Sequence, residues 1–150
     1  MLSFRDGGSP GEAKLMTRFG EIGLFLGQTC KAVSKGKKPQ KFRLKTLSYR
    51  YHLKAATARD AALRWEYVKQ LDRPYCRHHV QGPLQVPFGD AQLSLNDVHL
   101  PTGFVTIEEV IRFCLVELEA RPLSENWDEI LRDSYREFKT KFAPRGSTAD

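Results

Sequence analysis

The chain has 150 residues, enough for one domain with a buried core, and its hydrophobic fraction of 41% and charged fraction of 28% are ordinary for a soluble globular protein. No segment approaches the roughly 20 consecutive apolar residues that cross a bilayer, which excludes a helical membrane protein and predicts no membrane partner. The three cysteines form no CxxC pair, so there is no zinc-ribbon or redox motif, and this usage is typical of a cytoplasmic protein.

The charge is unevenly distributed along the chain. There are 24 Lys and Arg against 18 Asp and Glu, a net charge of +6. From Lys31 to Lys54 no acidic residue interrupts the basic ones, whereas acidic residues collect between Glu108 and Glu137. This asymmetry predicts a basic face that meets RNA or another polyanion. The alternative is a solvated basic loop without a ligand.

The N-terminal part is predicted to be helical. Residues 1–11 are rich in Gly, Ser and Pro, which predicts a disordered N-terminus. Leu15, Phe19, Ile22 and Leu26 then recur at helical spacing, and they predict a helix from about residue 12 to residue 33. We expect a single domain over residues 12–142 and a flexible tail over residues 143–150.

Three strands are predicted next. The segments Phe42–Ala55 and Ala62–Leu71 alternate apolar or aromatic residues with polar ones, and a polar turn joins them, which predicts an antiparallel hairpin. A third strand is predicted over Tyr75–Gln81. Because successive side chains on a strand point to opposite faces, His78 and His79 should separate, with one in the core and the other at the surface.

Two helices are predicted near the C-terminus. The Pro- and Gly-rich segment 82–105 comes first, with short strands around 84–86 and 92–95. Thr106 and Glu109 then fit a capping box at the start of a helix that Pro122 ends, and Ser124 is predicted to cap the next helix. The predicted fold class is therefore α+β, an antiparallel sheet packed by an N-terminal helix and two C-terminal helices.

The residues suited to chemistry are histidines and arginines on the predicted strands. RNA cleavage without a metal needs a general base, a general acid and cations for the phosphate, and it needs no cofactor. The candidate acid and base groups are His78, His79 and His52. The candidate phosphate-binding groups are Arg50, Arg64 and Arg77, with Lys35, Lys37, Lys38 and Lys41 steering the nucleic acid. No metal site is predicted, because the Cys-x-His pair at Cys76 and His78 is a weak signal.

The aromatic residues of the same strands allow two interpretations. Tyr49, Tyr51, Trp65 and Tyr67 could stack on RNA bases, or they could form the core, which is the interpretation that we favour.

Four short segments resemble the TumE-like toxins of prokaryotic toxin–antitoxin systems. They are Tyr49-Arg50-Tyr51-His52-Leu53, Leu63-Arg64-Trp65-Glu66-Tyr67, the histidine segment from Pro74 to Val80, and Thr106-Ile107-Glu108-Glu109-Val110-Ile111. The resemblance implies a growth-inhibiting protein that acts on RNA and is encoded beside an antitoxin, with the histidine segment as the important site.

Two functions from different classes remain at this point. The first is a toxin-like RNA-binding protein, a candidate metal-independent ribonuclease neutralised by an antitoxin-like protein partner. The second is a non-enzymatic protein–protein interaction module, such as a phage or defence-system component, with a basic partner-binding loop. Either protein could form a homo-oligomer.

Overall fold

A computed structural model describes residues 2–3, 5–6, 9–34, 42–58, 61–69 and 77–141. Within them, the strands are β1 (Leu2–Ser3), β2 (Arg5–Asp6), β3 (Ser9–Pro10), β4 (Ala13–Thr17), β5 (Gly20–Ser34), β6 (Phe42–Ala55), β7 (Leu63–Val68), β8 (His78–Gln81), β9 (Gln85–Phe88), β10 (Ala91–Ser94) and β11 (Leu100–Pro101). The helices are α1 (Ile107–Val116) and α2 (Trp127–Lys141).

Seven of these strands form one antiparallel sheet in the order β1, β5, β6, β7, β8, β11, while β4 pairs with β5 beyond the end of β1. Two small hairpins, β2–β3 and β9–β10, lie outside that sheet. The α+β class and the antiparallel sheet are therefore as predicted. The domain limits at residues 12 and 142 stay a prediction, and three two-residue strands lie within residues 1–11.

The predicted N-terminal helix is wrong, because residues 13–34 form the hairpin β4–β5. Leu15 pairs with Ile22 across this hairpin, so two residues of the supposed helical stripe belong to different strands. The turn between the strands uses Gly20 at a φ of 95°, a conformation that glycine adopts without steric cost. Along β5, the apolar side chains that face the core recur every two residues at Ile22, Leu24 and Leu26.

The predicted hairpin of β6 and β7 is confirmed. Tyr51 lies opposite Trp65, and Tyr49 lies opposite Tyr67. The third predicted strand is also present as β8, which pairs with β7 and continues to β11. The residues that precede Arg77 in that prediction, including Cys76, lie outside the described residues. The two short strands predicted in segment 82–105 correspond to β9 and β10.

The core lies between one face of the sheet and α1, and α2 packs against α1. Tyr49 and Tyr51 are each 1% exposed and stack on each other with ring centroids 4.6 Å apart. Trp65 meets Phe113 of α1 edge to face, at 5.6 Å. The strand aromatics therefore belong to the core, as the sequence interpretation favoured, and they are not available on that face for stacking on bases.

The predicted N-terminal cap is present at α1 but not at α2. At α1 the Thr106 hydroxyl accepts from the Glu109 amide at 3.2 Å, and the Glu109 carboxylate accepts from the Thr106 amide at 2.6 Å, so the capping box is confirmed. The helix ends at Val116, before Pro122. The next helix begins at Trp127 and not directly after Ser124. No helix in the described ranges is long and apolar enough to cross a membrane.

Candidate active site

The two adjacent histidines of β8 lie on opposite faces of the sheet. His78 is on the helix-covered face, where its ring stacks on Tyr67 with centroids 4.2 Å apart and its Nδ1 lies 3.1 Å from the Tyr49 hydroxyl. His79 points to the other face and lies opposite Glu66 of β7. The predicted separation is therefore correct, and it removes His78 from any site that His79 and His52 form.

The second face carries two imidazoles around one carboxylate. His52 Nε2 lies 3.0 Å from Glu66 Oε1, and His79 Nε2 lies 3.7 Å from Glu66 Oε2. The strand register explains the convergence, because Glu66 is the direct partner of His79 and sits diagonally from His52, within reach of long side chains. We call His52, Glu66 and His79 the carboxylate–histidine cluster.

Part of this cluster is covered by the chain that follows β10. The ring of His99 packs edge to face against His79 at 4.5 Å. Asn96 accepts hydrogen bonds from Arg64 Nη2 at 3.1 Å and, through its backbone carbonyl, from Gln81 Nε2 at 3.2 Å. Because of this cover, His79 is only 5% exposed. The sequence had left open which of the two histidines would lie at the surface.

His52 instead borders an open groove with a volume of about 620 Å³. The groove lies over β5 and β6, and its lining residues include a carboxylate, a guanidinium, an imidazole, a phenyl ring and two hydroxyls. They are Glu12, Phe25, Gly27, Thr29, Ser48, Arg50 and His52.

Two glycines of β5 allow these side chains to lie flat on the sheet. A Cβ atom at Gly23 would come within 2.5 Å of the Glu12 carboxylate, and one at Gly27 would come within 2.9 Å of the Phe25 ring. Glu12 and Phe25 therefore lie over backbone that carries no side chain. The Phe25 ring is also 5.8 Å from that of His52.

The predicted phosphate-binding arginines are placed differently from one another. Arg50 is exposed and lines the groove, where it also faces Glu66 across the strands. Arg64 is held by Asn96 beside the cover. Arg77 is exposed and immediately precedes β8. The four predicted steering lysines, Lys35, Lys37, Lys38 and Lys41, lie outside the described residues.

The electrostatics of the cluster keep its carboxylate ionised. The hydrogen bond from His52 lowers the pKa of Glu66, against the opposing effect of burial, and the charges of Arg50 and Arg64 lower it further. Burial lowers the pKa of His99, and so does the neighbouring His79. On the opposite face burial also lowers the pKa of His78, which favours its neutral form.

Three of the groups at this site were missed by sequence reasoning. Glu66 could have been found, because the alternation that selects Arg64 places it on the same face and the hairpin register brings it to His52. Glu12 and His99 had no local signal, since one lies before β4 and the other in an irregular segment. No three His, Cys, Asp or Glu side chains in the described part of the chain form a metal-binding group.

Comparisons with known proteins found no matching family model, no matching curated protein and no matching solved structure. The geometry of this chain therefore carries the functional argument.

Proposed function

We propose that this protein is a toxin-like RNA-binding protein that cleaves single-stranded RNA without a metal ion, using the groove beside His52. The observation that carries the proposal is the presence, around one open groove, of an imidazole held by a carboxylate, a second carboxylate and a guanidinium. These are the groups that phosphodiester cleavage by a neighbouring hydroxyl needs.

The proposed chemistry is a transfer of the phosphoryl group to the adjacent 2′-oxygen. The Glu12 carboxylate takes the proton of the 2′-hydroxyl, and the 2′-oxygen attacks the phosphorus. The bond from phosphorus to the 5′-oxygen breaks, and the His52 imidazolium gives that oxygen its proton. The products are a 2′,3′-cyclic phosphate and a free 5′-hydroxyl, so atoms and charges balance.

Two other groove residues would bind the substrate. Arg50 is exposed at the groove and would stabilise the extra negative charge on the phosphate in the transition state. Phe25 presents a ring beside His52, on which a base next to the scissile phosphate could stack. Thr29 and Ser48 offer hydroxyls to the sugar or to a phosphate oxygen.

Glu66 and His79 act behind His52 in this proposal. The ionised Glu66 accepts from Nε2 of His52 and fixes the ring orientation, which leaves Nδ1 for the exchange with substrate. Buried His79 and the cover over it keep water from that side of Glu66. His79 is thus a positioning residue, and His78, on the other face, has no part in the reaction.

The test is cleavage of a labelled single-stranded RNA in the presence of EDTA, with product ends identified by mass. Wild type should yield cyclic phosphate ends, and His52→Ala and Glu12→Gln should each lower the cleavage rate on the order of 10²- to 10⁴-fold. Arg50→Ala should lower it roughly 10²-fold.

The matched control is His78→Gln, which removes a histidine from the opposite face. It should keep the cleavage rate within about threefold, although it loses part of the aromatic packing. Equal activity of wild type and His52→Ala, or loss of wild-type activity with EDTA, would overturn the proposed mechanism.

Neutralisation by an antitoxin-like protein partner belongs to the same proposal, and the resemblance of the four sequence segments supports it. Induced expression should slow bacterial growth, His52→Ala should relieve the effect, and a co-expressed product of the adjacent gene should do the same. Growth inhibition that is equal for wild type and His52→Ala would show that toxicity does not depend on the groove residue His52.

A second candidate is the protein–protein interaction module. It is favoured by apolar side chains that lie at the surface, including Leu123, which is fully exposed between the helices, and Phe19 at the β4–β5 turn, 67% exposed. The ionic strength distinguishes the two functions: binding through several phosphates falls steeply with salt, and an apolar interface does not.

A further inference from the structure

Four basic residues lie together beyond the end of the groove. Lys31 and Lys45 are direct partners across β5 and β6, just past the irregularity between Thr29 and Cys30. Lys69 donates its backbone N–H to the Leu47 carbonyl at 2.9 Å, and Arg77 accepts from the Val68 amide at 3.4 Å. Two strands and two strand ends therefore bring Lys31, Lys45, Lys69 and Arg77 into one exposed group, which we call the basic cluster.

The basic cluster concentrates positive charge at the surface. All four residues are exposed, and in the described parts of the chain none of them has an ion-pair partner. Contact with Lys45 lowers the pKa of Lys69, and the charges of Lys31 and Arg77 lower it further. Like charges directly opposite on neighbouring strands destabilise a sheet, so an anion bound there would relieve a cost that the fold otherwise carries.

The basic cluster is continuous with the groove. Thr29 and Ser48 line the far end of the groove and are direct partners, and Lys31 follows Thr29 by two residues, on the same side of β5. Along β6 the distance from His52 to Lys45 is roughly 20 Å at the usual rise of a strand. A ligand that occupies both would be an extended chain with several negative charges.

We propose that the basic cluster is a phosphate-binding subsite that holds the backbone of a single-stranded nucleic acid whose scissile end lies in the groove. This inference rests on the proposed ribonuclease function for its choice of ligand. The phenyl ring and hydroxyls between the cluster and His52 suit a chain of bases and sugars, and an acidic peptide would make little use of them.

The experiment measures binding of a short single-stranded RNA with 2′-O-methyl groups, which cannot be cleaved because it lacks the attacking hydroxyl. Affinity is followed by fluorescence anisotropy over a range of salt concentrations. The test variant is Lys31→Gln/Lys45→Gln. The matched control is Arg136→Gln/Lys139→Gln, which removes the same charge from exposed positions of α2. Circular dichroism checks that both variants are folded.

The test variant should weaken binding on the order of tenfold, and it should reduce the slope of log affinity against log salt by about 1.4, the value for two lost phosphate contacts on a single strand. The control should change affinity less than twofold. Equal affinities of the two variants would overturn the subsite, and so would an absence of binding by wild type. Binding of single-stranded DNA that depends on Lys31 and Lys45 to the same extent would support the subsite, because DNA and RNA share the backbone phosphates.

Failure of this inference and failure of the proposed function give different results. A wild type that binds the uncleavable RNA through the basic cluster, and cleaves no RNA, would keep the subsite and remove the ribonuclease mechanism. Cleavage that depends on His52, together with binding that does not depend on Lys31 and Lys45, would keep the ribonuclease mechanism and remove the subsite.

Discussion

His52 of β6 and Glu66 of β7 are joined by a hydrogen bond of 3.0 Å between Nε2 and Oε1, on the face of the sheet that the helices leave uncovered. This contact links a groove-lining imidazole to a carboxylate that is itself half-buried and near two arginines. The pairing of β6 with β7 thus places Glu66 where it can orient the imidazole of the proposed reaction.

Glu66→Gln should therefore impair catalysis more than substrate binding. The amide keeps the size of the side chain but loses the charge, and a hydrogen bond to a charged group contributes about 1.5–3 kcal/mol. We expect kcat for RNA cleavage to fall roughly 10- to 100-fold with KM little changed. Glu129→Gln on the exposed side of α2 is the control. A rise in KM at unchanged kcat would assign Glu66 to substrate binding instead.

Tyr49→Phe should destabilise the fold. The Tyr49 hydroxyl accepts from the Val105 amide at 3.2 Å and lies 3.1 Å from His78 Nδ1, so phenylalanine leaves two partly buried polar groups without that partner. We expect the free energy of unfolding to fall by about 1–3 kcal/mol, measured by urea denaturation. Tyr135→Phe on α2, where the ring is only half-buried, should cost less; equal losses would contradict this account.

The protein should lose stability at alkaline pH. Burial raises the pKa of Tyr49 from 10.0 to about 12 and raises that of Tyr51 further. Because folding favours the neutral phenols, the contribution is complete below pH 10 and is lost as pH rises from 10 through about 12. Thermal unfolding at a series of pH values should show a decline in Tm over this range, and Tyr49→Phe should make the decline shallower.

Thr106→Ala should weaken the start of α1. It removes the hydroxyl that accepts from the Glu109 amide and leaves in place the reciprocal bond, in which the Thr106 amide donates to the Glu109 carboxylate. The expected loss in the free energy of unfolding is about 1 kcal/mol, measured by urea denaturation. Thr140→Ala near the end of α2 should be nearly neutral, and a loss as large as that of Thr106→Ala would argue against the cap as the cause.

Two glycine substitutions should affect different properties, one the rate of RNA cleavage and the other the stability of the fold. At Gly23 a Cβ meets the end of the Glu12 side chain, which can move, so Gly23→Ala should displace the carboxylate and slow RNA cleavage while stability changes little. At Gly82 a Cβ would lie 2.6 Å from the Ala62 carbonyl, which is backbone, so Gly82→Ala should cost about 1–3 kcal/mol of stability. Urea denaturation and the cleavage assay together separate the two effects; unchanged cleavage by Gly23→Ala would weaken the role of Glu12.

Local patterns in the sequence determined several elements of this fold. The alternation along residues 42–55 and 62–71 predicted the β6–β7 hairpin, and strand parity alone separated His78 from His79. The capping box at Thr106 was readable because its two hydrogen bonds join residues only three positions apart. These features depend on neighbours in the chain, so the chain by itself contains them.

Only the tertiary structure decided the rest. The stripe of Leu15, Ile22 and Leu26 fits a helix by spacing, yet the pairing of β4 with β5 places those residues on two strands, because burial on the sheet overrides a short helical pattern. The same pairing carries Glu12 to the groove that His52 lines. The contact of His79 with His99 depends on how an irregular segment returns over the sheet. Contacts of this kind join residues far apart in the chain, and no local period encodes them.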